Sequence, residues 1–444
     1  MTAVFQRNCN SQMPIAIKGD GAYIIDKTGK RYLDGSGGAA VSSLGHSHPV
    51  VIEAIKHQLD SIAFAHTSFF TSEPAEELAQ FLIDKAPGKM AKIYFTSGGS
   101  EAVEAALKLA RQYFLERGES QRTLFISREQ SYHGNTLGAL GIGGNPWRRE
   151  PFAPLMTDAN YISPCYAYRG QQASETELEY GQRVALELET KLELLGAENV
   201  IAFIAEPVVG ATLGAVASVP KYFKKIRQIC DRHGILLILD EVMCGMGRTG
   251  TLFAYEQEDI VPDMVTMAKG LGAGYQPIGA LMVSENIHQS VATGSGFFQH
   301  GHTYIGHPTA CAAALAVQNV IVDDQLLDKV QLSGDYLQAQ LEQRFANHPH
   351  IGDIRGRGLF RGVELVDDRA SKVPLPLASK FNLKVKAQMM DNGLLCYPGA
   401  GTVDGKLGHH ILIAPAYIVE QTDLDFLVDT LAKSIDQVFA AINK

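Results

Sequence analysis

A single lysine stands where an amine nucleophile could act. Lys269 follows a short apolar run, Met264–Ala268, and the glycine-rich stretch Gly270–Gly274 comes directly after it. Burying an ammonium group is costly, so a lysine in such a place tends to have a depressed pKa and to attack aldehydes. One lysine by itself is weak evidence, and the pattern raises the hypothesis without deciding it.

A second stretch has the composition of an anion site. Thr96–Ala102 follows the predicted strand Ile93–Phe95 and opens a predicted helix. Glycines let the backbone approach a ligand, and free N–H groups at a helix start bind anions. Ser97 and Ser100 add hydroxyl donors, which suits a phosphate. The alternative is a plain glycine-rich turn in which Ser100 caps the helix.

A third feature is an acidic pair at the end of an apolar strand. Ile235–Leu239 is followed directly by Asp240 and Glu241. A carboxylate there could be solvated, or could cap the next segment. It could also pair with the protonated ring nitrogen of a pyridine cofactor, so that the ring continues to accept electrons. The strand end alone does not separate these interpretations.

The stretch Gly245–Gly250 matches the GxGxxG pattern of dinucleotide sites. The preceding strand, however, runs through Asp240–Cys244 before the glycines begin, and no amphipathic helix starts at Gly250. A strand-end acid about 20 residues later is also missing. We therefore predict a loop here, and a nicotinamide-dependent oxidoreductase becomes the less favoured alternative.

The residues above must be positioned by an alternation of short apolar runs and helical stretches. The predicted strands are Ile93–Phe95, Thr123–Ser127, Ile201–Glu206, Ile235–Asp240, Met264–Ala268 and Gly279–Val283. The predicted helices include Ser100–Glu116, Pro220–His233 and Thr309–Val322. Such alternation indicates an α/β domain whose mostly parallel sheet carries its chemistry at the carboxyl ends of the strands.

Composition changes along the chain indicate two domains. Residues 171–196 are polar and rich in glutamate, which predicts an excursion with a solvated helix. After about residue 323, long amphipathic helices are followed by short strands near Gly358–Leu365 and His410–Ile413. We predict a large α/β domain over residues 61–322. A smaller α+β domain is predicted from residues 1–60, with a hairpin at residues 22–34, together with residues 323–444.

Bulk properties exclude several classes of function. The 444 residues carry a net charge of −9, which argues against a nucleic-acid partner. The six cysteines are scattered, with no CxxC pair, so neither a disulfide framework nor a metal site is predicted. No signal peptide is evident, and no run approaches the roughly 18 apolar residues of a membrane span. These features predict a cytoplasmic protein without a membrane partner.

Taken together, these motifs resemble those of the class III (ω-) aminotransferases, enzymes of pyridoxal-phosphate fold type I. The resemblance extends over nearly the whole chain, and the order and spacing of its motifs make it specific. The matching strings are Ser97–Ala102, Tyr132–Gly134, Glu206–Pro207, Asp240–Val242, Gly247–Gly250, Ala268–Gly270, His302–Tyr304, Gly356–Leu359 and Ala414–Pro415.

The resemblance implies a role for each matching residue. Lys269, Asp240 and Tyr132 would be catalytic, with Lys269 forming the Schiff base with pyridoxal 5′-phosphate and shuttling a proton. Asp240 would bond the ring nitrogen, and Tyr132 would stack on one face of the ring. The implied cofactor-binding set is Gly99, Ser100, Tyr132, His133, Glu206, Asp240, Val242, Lys269 and Thr303. Glu206 would orient nearby groups, and Val242 would pack on the second face.

The resemblance also implies an assembly. A threonine at the position of Thr303 reaches the phosphate held by the neighbouring subunit in this family. A homodimer with shared active sites, or a tetramer built from such dimers, is therefore expected.

Three departures from the family pattern bear on the substrate. Members that use glutamate or α-ketoglutarate carry an arginine where this chain has Leu412, and a gateway glutamate where it has Ala211. An apolar pocket there suits amines or ω-amino acids better than dicarboxylates. Met243 replaces a glutamine and cannot donate a hydrogen bond to the cofactor. Lys406 is a weak candidate for a carboxylate anchor, and a solvated loop lysine is the more ordinary interpretation.

The sequence therefore predicts a transaminase that moves an amino group from an amine or ω-amino acid to a keto acid. Pyruvate is the favoured acceptor, because it is small and needs no distant clamp for a second carboxylate. A decarboxylation-coupled transamination or an aminomutase reaction on the same scaffold is the main alternative. A cofactor-binding protein without catalysis is a further alternative, against which Lys269, Asp240 and Tyr132 argue.

Overall fold

The strands establish a central sheet and a second β region. The computed structural model describes residues 3–157 and 159–442. Its strands are β1 (Ala16–Asp20), β2 (Tyr23–Asp26), β3 (Arg31–Asp34), β4 (Met90–Thr96), β5 (Leu124–Arg128), β6 (Asn160–Ile162), β7 (Val200–Ala205), β8 (Val208–Val209), β9 (Val216–Ala217), β10 (Leu236–Asp240), β11 (Met264–Met267), β12 (Gly279–Ser284), β13 (Ile351–Arg357), β14 (Phe360–Asp368), β15 (Val373–Pro374), β16 (Leu394–Leu395), β17 (Tyr397–Ala400) and β18 (His409–Ile413).

Helices alternate with the strands of the central sheet and dominate the C-terminal region. They are α1 (Gly37–Ala40), α2 (Pro49–Ser61), α3 (Glu73–Lys85), α4 (Gly99–Glu116), α5 (Leu137–Ile142), α6 (Pro146–Arg149), α7 (Ala167–Gly170), α8 (Glu177–Leu195), α9 (Tyr222–His233), α10 (Glu285–Thr293), α11 (Pro308–Asp323), α12 (Leu326–Phe345), α13 (Phe381–Asp391) and α14 (Gln421–Ile442). Short 3₁₀ turns, among them Ala254–Glu258, join some of them.

The central sheet has seven strands in the order β4-β12-β11-β10-β7-β5-β6. Only β12 runs antiparallel to its neighbours, so the predicted mostly parallel, seven-stranded sheet is confirmed. Every residue of β7 and β10 is buried, because helices cover both faces of the sheet. Their continuous apolar sequences follow from that double coverage.

The parallel strands bring their carboxyl ends to one edge of the sheet. β4, β5, β7, β10 and β11 share a direction, since β12 is antiparallel to both β4 and β11. The segments that follow these five strands contain the glycine-rich turn before α4, Tyr132, Glu206, Asp240 and Lys269. The fold therefore places the candidate residues along the carboxyl edge of the sheet, as predicted for residues that end or follow parallel strands.

A second β region is formed by the two ends of the chain. The predicted N-terminal hairpin is confirmed as β2 and β3, which belong to the four-stranded sheet β1-β2-β3-β16. A further sheet has the order β13-β14-β18-β17, with β15 beside β14. One apolar core joins Leu33 and Val51 to residues of α12, α13 and α14. We propose that the chain divides into a large domain, residues 61–322, and a small domain, residues 1–60 with 323–444. Helix α11 contributes residues to the apolar cores of both domains.

The prediction of a solvated helix within residues 171–196 is wrong. Residues 171–196 do contain a helix, α8, and it begins with a capping box in which Thr176 and Glu179 bond each other's backbone. This helix is not solvated on all sides, because Tyr180, Val184 and Leu188 are buried in the main core. Its glutamates occupy the outer face, and their number hid the apolar stripe at helical spacing.

Within residues 3–157 and 159–442 no single helix is long and apolar enough to cross a membrane. Only α11 and α12 taken together reach that length and composition, and the chain bends by 68° between them.

Candidate active site

Lys269 lies directly beyond β11 at the carboxyl edge of the sheet. Its backbone has φ of 44°, in the left-handed region, and its carbonyl accepts hydrogen bonds from the N–H groups of Gly272 (3.2 Å) and Ala273 (2.9 Å). Burial lowers the pKa of Lys269 to about 8, against the opposing pull of the carboxylates of Asp240 and Glu206. No hydrogen bond or ion pair holds its amine within the described chain, so the amine is available for chemistry.

Asp240 ends β10 and forms a buried pair with His133. The Nδ1 of His133 lies 2.8 Å from Asp240 Oδ2, and both side chains are buried. The other oxygen, Oδ1, accepts hydrogen bonds from Val242 N–H (3.1 Å) and Thr266 Oγ1 (3.2 Å). Three donors therefore fix the carboxylate, and its negative charge is held in a place of low polarity.

His133 has a further feature that the sequence did not reveal. Its Nε2 is buried and has no hydrogen-bond partner among residues 3–157 and 159–442. Since Nδ1 faces a carboxylate, Nδ1 carries the hydrogen and Nε2 is left as an acceptor in the neutral ring. Nε2 is therefore able to accept a hydrogen bond from a molecule bound at this site.

Glu206 follows β7 and positions two backbone segments. Its Oε1 accepts the N–H of Tyr132 (3.0 Å), and its Oε2 accepts the N–H of Gly210 (3.1 Å). Burial raises the pKa of Glu206, an effect that the nearby His133 opposes. Glu206 thus orients Tyr132 and the segment before Ala211.

The turn before α4 has the geometry of an anion cradle. Gly98 is the N-cap of this 18-residue helix, and the first N–H groups of a helix have no acceptor within it. A side chain at Gly99 would lie 2.8 Å from a methyl group of Val242, so only glycine fits there. The hydroxyl of Ser100 exchanges hydrogen bonds with Asn135, through its side chain (3.0 Å) and its N–H (3.1 Å).

Tyr132 faces a cation that sequence reasoning missed. The guanidinium of Arg148, in the short helix α6, lies 4.4 Å from the centre of the Tyr132 ring. Burial raises the pKa of Tyr132, and the charge of Arg148 acts in the opposite sense. No motif includes Arg148, and a single arginine in a four-residue helix gives no sequence signal, so only the packing reveals it.

Thr303 is the one predicted residue that stands apart. It is exposed, in the segment between α10 and α11, and forms no hydrogen bond to another site residue in the described part of the chain. The remaining predicted residues come together around the carboxyl edge, linked by the contacts of Asp240, Glu206 and Val242.

The GxGxxG stretch is a loop, as predicted, and its purpose is structural. Arg248 within it is buried and donates hydrogen bonds to the carbonyls of Leu359 (3.2 Å) and Pro415 (2.5 Å). Both acceptors belong to other strings of the resemblance, so Arg248 joins these three segments. Glu241 is likewise structural, since its carboxylate accepts the N–H groups of Ala254 and Tyr255 (both 2.7 Å).

Comparison with known proteins agrees with this arrangement. The sequence profile of the family described as aminotransferase class-III matches residues 5–435. An uncharacterised aminotransferase of Schizosaccharomyces pombe is 43% identical, over 99% of this chain and 96% of the relative. An (S)-enantioselective ω-transaminase from Thermomicrobium roseum superposes with a TM-score of 0.90 at 36% identity, covering 96% of this chain and 93% of that one. A transaminase solved with L-alanine has a TM-score of 0.90 at 33% identity, covering 96% and 100%.

The chain belongs to the class III aminotransferases. It is an enzyme with the type I fold of pyridoxal-phosphate enzymes, and its cofactor is pyridoxal 5′-phosphate. Its substrates are small molecules, an amino donor and a keto acid. The predicted family, fold class, cofactor and transaminase activity are confirmed.

The residues present fit this cofactor. A helix start with free N–H groups suits its phosphate, a buried carboxylate suits its ring nitrogen, and a lysine of lowered pKa suits its aldehyde. When bound, the cofactor supplies an aldehyde carbon and an electron-accepting ring.

Proposed function

We propose that Lys269, Asp240 and Tyr132 are the catalytic residues of this transaminase. Gly99 and Ser100 would hold the phosphate, and His133, Glu206 and Val242 would complete the cofactor site. Support comes from the convergence of these side chains at the carboxyl edge, and from the glycine required where Val242 approaches α4.

Two groups of the chain would handle charge and protons during transfer. With a pKa of about 8, the amine of Lys269 can both accept and donate a proton near neutral pH. Asp240, bonded to His133, keeps a fixed negative charge where a protonated ring nitrogen would sit. Glu206 keeps Tyr132 in place through its backbone, and so preserves the stacking surface.

We further propose that the donor is an amine or ω-amino acid and that pyruvate is the favoured acceptor. The observation that carries this proposal is one apolar cluster that contains Leu412 and Met243, with Ala211 packed against it. Phe360, also in this cluster, and the sulfur of Met243 leave no room for a side chain at Gly210, beside Ala211, since an added Cβ there would lie 3.0 Å and 2.6 Å from them. A second carboxylate placed here would be buried without a partner, which is costly.

Other cations are engaged elsewhere. Arg361 donates to the carbonyls of Gly334, Gly356 and Gly358, which fixes it as a structural residue. Arg357 pairs with Glu258 at 2.6 Å, and Lys406 forms an exposed ion pair with Glu150 at 3.4 Å. None of the three replaces the arginine that α-ketoglutarate-using members have at the position of Leu412.

One solved relative supports the choice of pyruvate. The transaminase solved with L-alanine shows that a neighbour of this chain takes the aminated form of pyruvate. A decarboxylation-coupled or aminomutase reaction would use the same cofactor residues. Carbon dioxide release from a 2,2-dialkyl amino acid would identify the first of these, and an amino group that moves within one molecule would identify the second.

The acceptor prediction is tested by a spectral half-reaction. Enzyme converted to the pyridoxamine form by an amine is mixed with pyruvate or α-ketoglutarate, and recovery of the original absorbance is followed. We expect pyruvate to react with about 30-fold higher kcat/KM, since a charge-assisted pair to the second carboxylate is missing.

A double variant sharpens this test. Leu412→Arg alone places an unpaired charge in an apolar cluster, whereas Leu412→Arg with Ala211→Glu supplies both partners. Use of α-ketoglutarate should improve in the double variant more than in either single variant. A wild-type preference for α-ketoglutarate would show that the acceptor proposal is wrong.

We also propose a homodimer in which Thr303 reaches the phosphate of the neighbouring site. Support comes from exposed aromatic side chains near Thr303 in sequence: Phe297 is 67% and Tyr304 61% exposed. The contact of Tyr304 with Phe64, ring centres 5.6 Å apart, links this segment to the one that holds Phe69 and Phe70, also exposed. Large exposed apolar patches mark interaction surfaces.

Thr303→Ala is expected to weaken cofactor binding about tenfold, the cost of one hydrogen bond to a charged group. Equilibrium dialysis of pyridoxal phosphate measures this, with Thr293→Ala, at the exposed end of α10, as the control. Sedimentation measures the mass of the assembly in parallel. A monomer that keeps full cofactor affinity would overturn the shared-site proposal.

We propose the cytoplasm as the compartment. All six cysteines are free thiols, and five of them are buried. Reducing compartments preserve such thiols. Microscopy of a fluorescently tagged chain tests the location.

A further inference from the structure

A small cavity is lined by Arg148 and by residues that pack against the apolar cluster of Leu412 and Met243. Its volume is about 180 Å³, and its walls include Arg7, Trp147, Arg148, Ala211, Thr212 and Tyr397. Ala211 and Tyr397 also pack against the cluster that contains Leu412 and Met243. The cavity is smaller than the roughly 300–1,000 Å³ of sites for drug-sized ligands, so it suits a short molecule.

Arg148 is held rigidly at the wall of this cavity. Its guanidinium lies 4.4 Å from the Tyr132 ring centre and 5.9 Å from that of Trp147. The backbone N–H of Arg148 donates to the side-chain oxygen of Asn145 (3.2 Å), and the side-chain amide of Asn145 donates to the side-chain oxygen of Gln130 (2.6 Å). Gln130 in turn donates to the carbonyl of Gly401 (2.9 Å), so the short helix is tied to the opposite wall.

The charge of Arg148 is not neutralised by the described chain. Within residues 3–157 and 159–442 its guanidinium forms no ion pair or side-chain hydrogen bond, and its contacts are with the Tyr132 and Trp147 rings. Its N–H donors therefore have no acceptor among these residues, and their fork geometry matches a carboxylate. Arg149, the next residue, is different, because it donates to the carbonyl of Gly141 (3.1 Å).

The position of Arg148 is set by its contact with Tyr132 and by the cavity. Its guanidinium lies against the Tyr132 ring, and it lines the same cavity as Ala211, which packs against the apolar cluster of Leu412 and Met243. Arg7, on another wall of the cavity, adds a second positive charge and also acts on Tyr132. A substrate whose amino or keto carbon faces Lys269 would therefore meet positive charge at the Tyr132 side.

We propose that Arg148 binds the carboxylate of the substrate and so selects short monocarboxylic amino and keto acids. This role rests on the proposed transaminase site. It adds to that proposal a cation that takes the place of the arginine found in other members at the position of Leu412. The apolar wall of Ala211 and Leu412 receives the remainder of the substrate, while the fork of Arg148 takes its single carboxylate.

Equilibrium binding separates this role from catalysis. Propanoate, which is alanine without its amino group, is titrated calorimetrically into the wild-type holoenzyme and its variants. Arg148→Gln should weaken propanoate binding about 30-fold, because one charge-assisted, bidentate contact is lost. Arg148→Lys should recover part of the affinity. Arg149→Gln is the matched control, with the same charge change in the same helix, and should bind propanoate like the wild type.

Half-reactions with two matched amines give the second readout. L-alanine carries the carboxylate, and 2-aminopropane lacks it but has the same carbon skeleton. Arg148→Gln should lower kcat/KM for L-alanine about 30-fold more than it lowers kcat/KM for 2-aminopropane.

The outcomes distinguish this inference from the function on which it rests. An equal loss with both amines would overturn it and assign Arg148 to the support of Tyr132. Unchanged propanoate affinity in Arg148→Gln would also overturn it, whether or not that variant retains activity. A wild-type enzyme that converts neither amine, nor any other, would instead contradict the proposed amino-group transfer.

Discussion

Replacing Lys269 by alanine is expected to abolish amino-group transfer, with a loss of at least about 10⁴-fold in kcat. On the proposed roles of Lys269, the variant would lose both the amine that bonds the cofactor and the group that moves the proton. The phosphate cradle before α4 and the Asp240–His133 pair are untouched, so pyridoxal phosphate should still bind non-covalently. Reduction with borohydride should attach the cofactor permanently to the wild-type chain and not to the variant, as measured by mass spectrometry.

Two further variants test whether a loss of activity comes from the missing amine of Lys269. Lys269→Arg keeps a positive charge without a reactive amine, and it should be as inactive as Lys269→Ala. Lys224→Ala removes a lysine from an exposed ion pair with Asp259 and should leave the rate unchanged. Normal turnover by Lys269→Ala would remove Lys269 from the mechanism.

Asp240→Asn is expected to lower the rate of the half-reaction about 10³-fold, the scale seen when one preorganised electrostatic group is removed. Asparagine has nearly the same shape, but it removes the negative charge that would stabilise a protonated ring nitrogen. It also removes a charge that raises the pKa of Lys269, so that pKa should fall further below its ordinary value. Stopped-flow absorbance measures the rate, and the pH dependence of cofactor addition to the apoenzyme measures the pKa.

The control for Asp240→Asn is Asp259→Asn. It alters a carboxylate that is 87% exposed and should change neither the rate of the half-reaction nor the pKa of Lys269. Should Asp240→Asn react at the wild-type rate, the carboxylate would serve only to hold His133 and the backbone of Val242. A shifted pKa with an unchanged rate would lead to the same conclusion.

The central sheet was predictable because its strands are short apolar runs between helices. The run predicted at Ile235–Asp240 is β10, and the run predicted at Gly279–Val283 lies within β12. Strands buried on both faces need apolar residues at every position, and that demand is visible in sequence. β13 was missed, because six of its seven residues are only partly buried and charged residues interrupt it.

The candidate site was predictable in part. Residues after the parallel strands had to meet at one edge, and their types indicated an anion cradle, a carboxylate and an amine. The helix α8 was misjudged because its buried stripe is masked by glutamates on the outer face. Arg148 was missed because nothing near it in sequence shows that α6 packs on Tyr132.

The sequence by itself determined the family, the cofactor and which residues could carry the chemistry, since these depend on residue types at strand ends. Only the tertiary structure decided which side chains meet. Asp240 and His133 are 107 residues apart and form a pair because β5, β7 and β10 are adjacent and parallel. Leu412, Met243 and Ala211 form one apolar wall, and Arg148 stands across from it, because non-local packing brings four distant segments together. Local sequence patterns do not encode such long-range contacts.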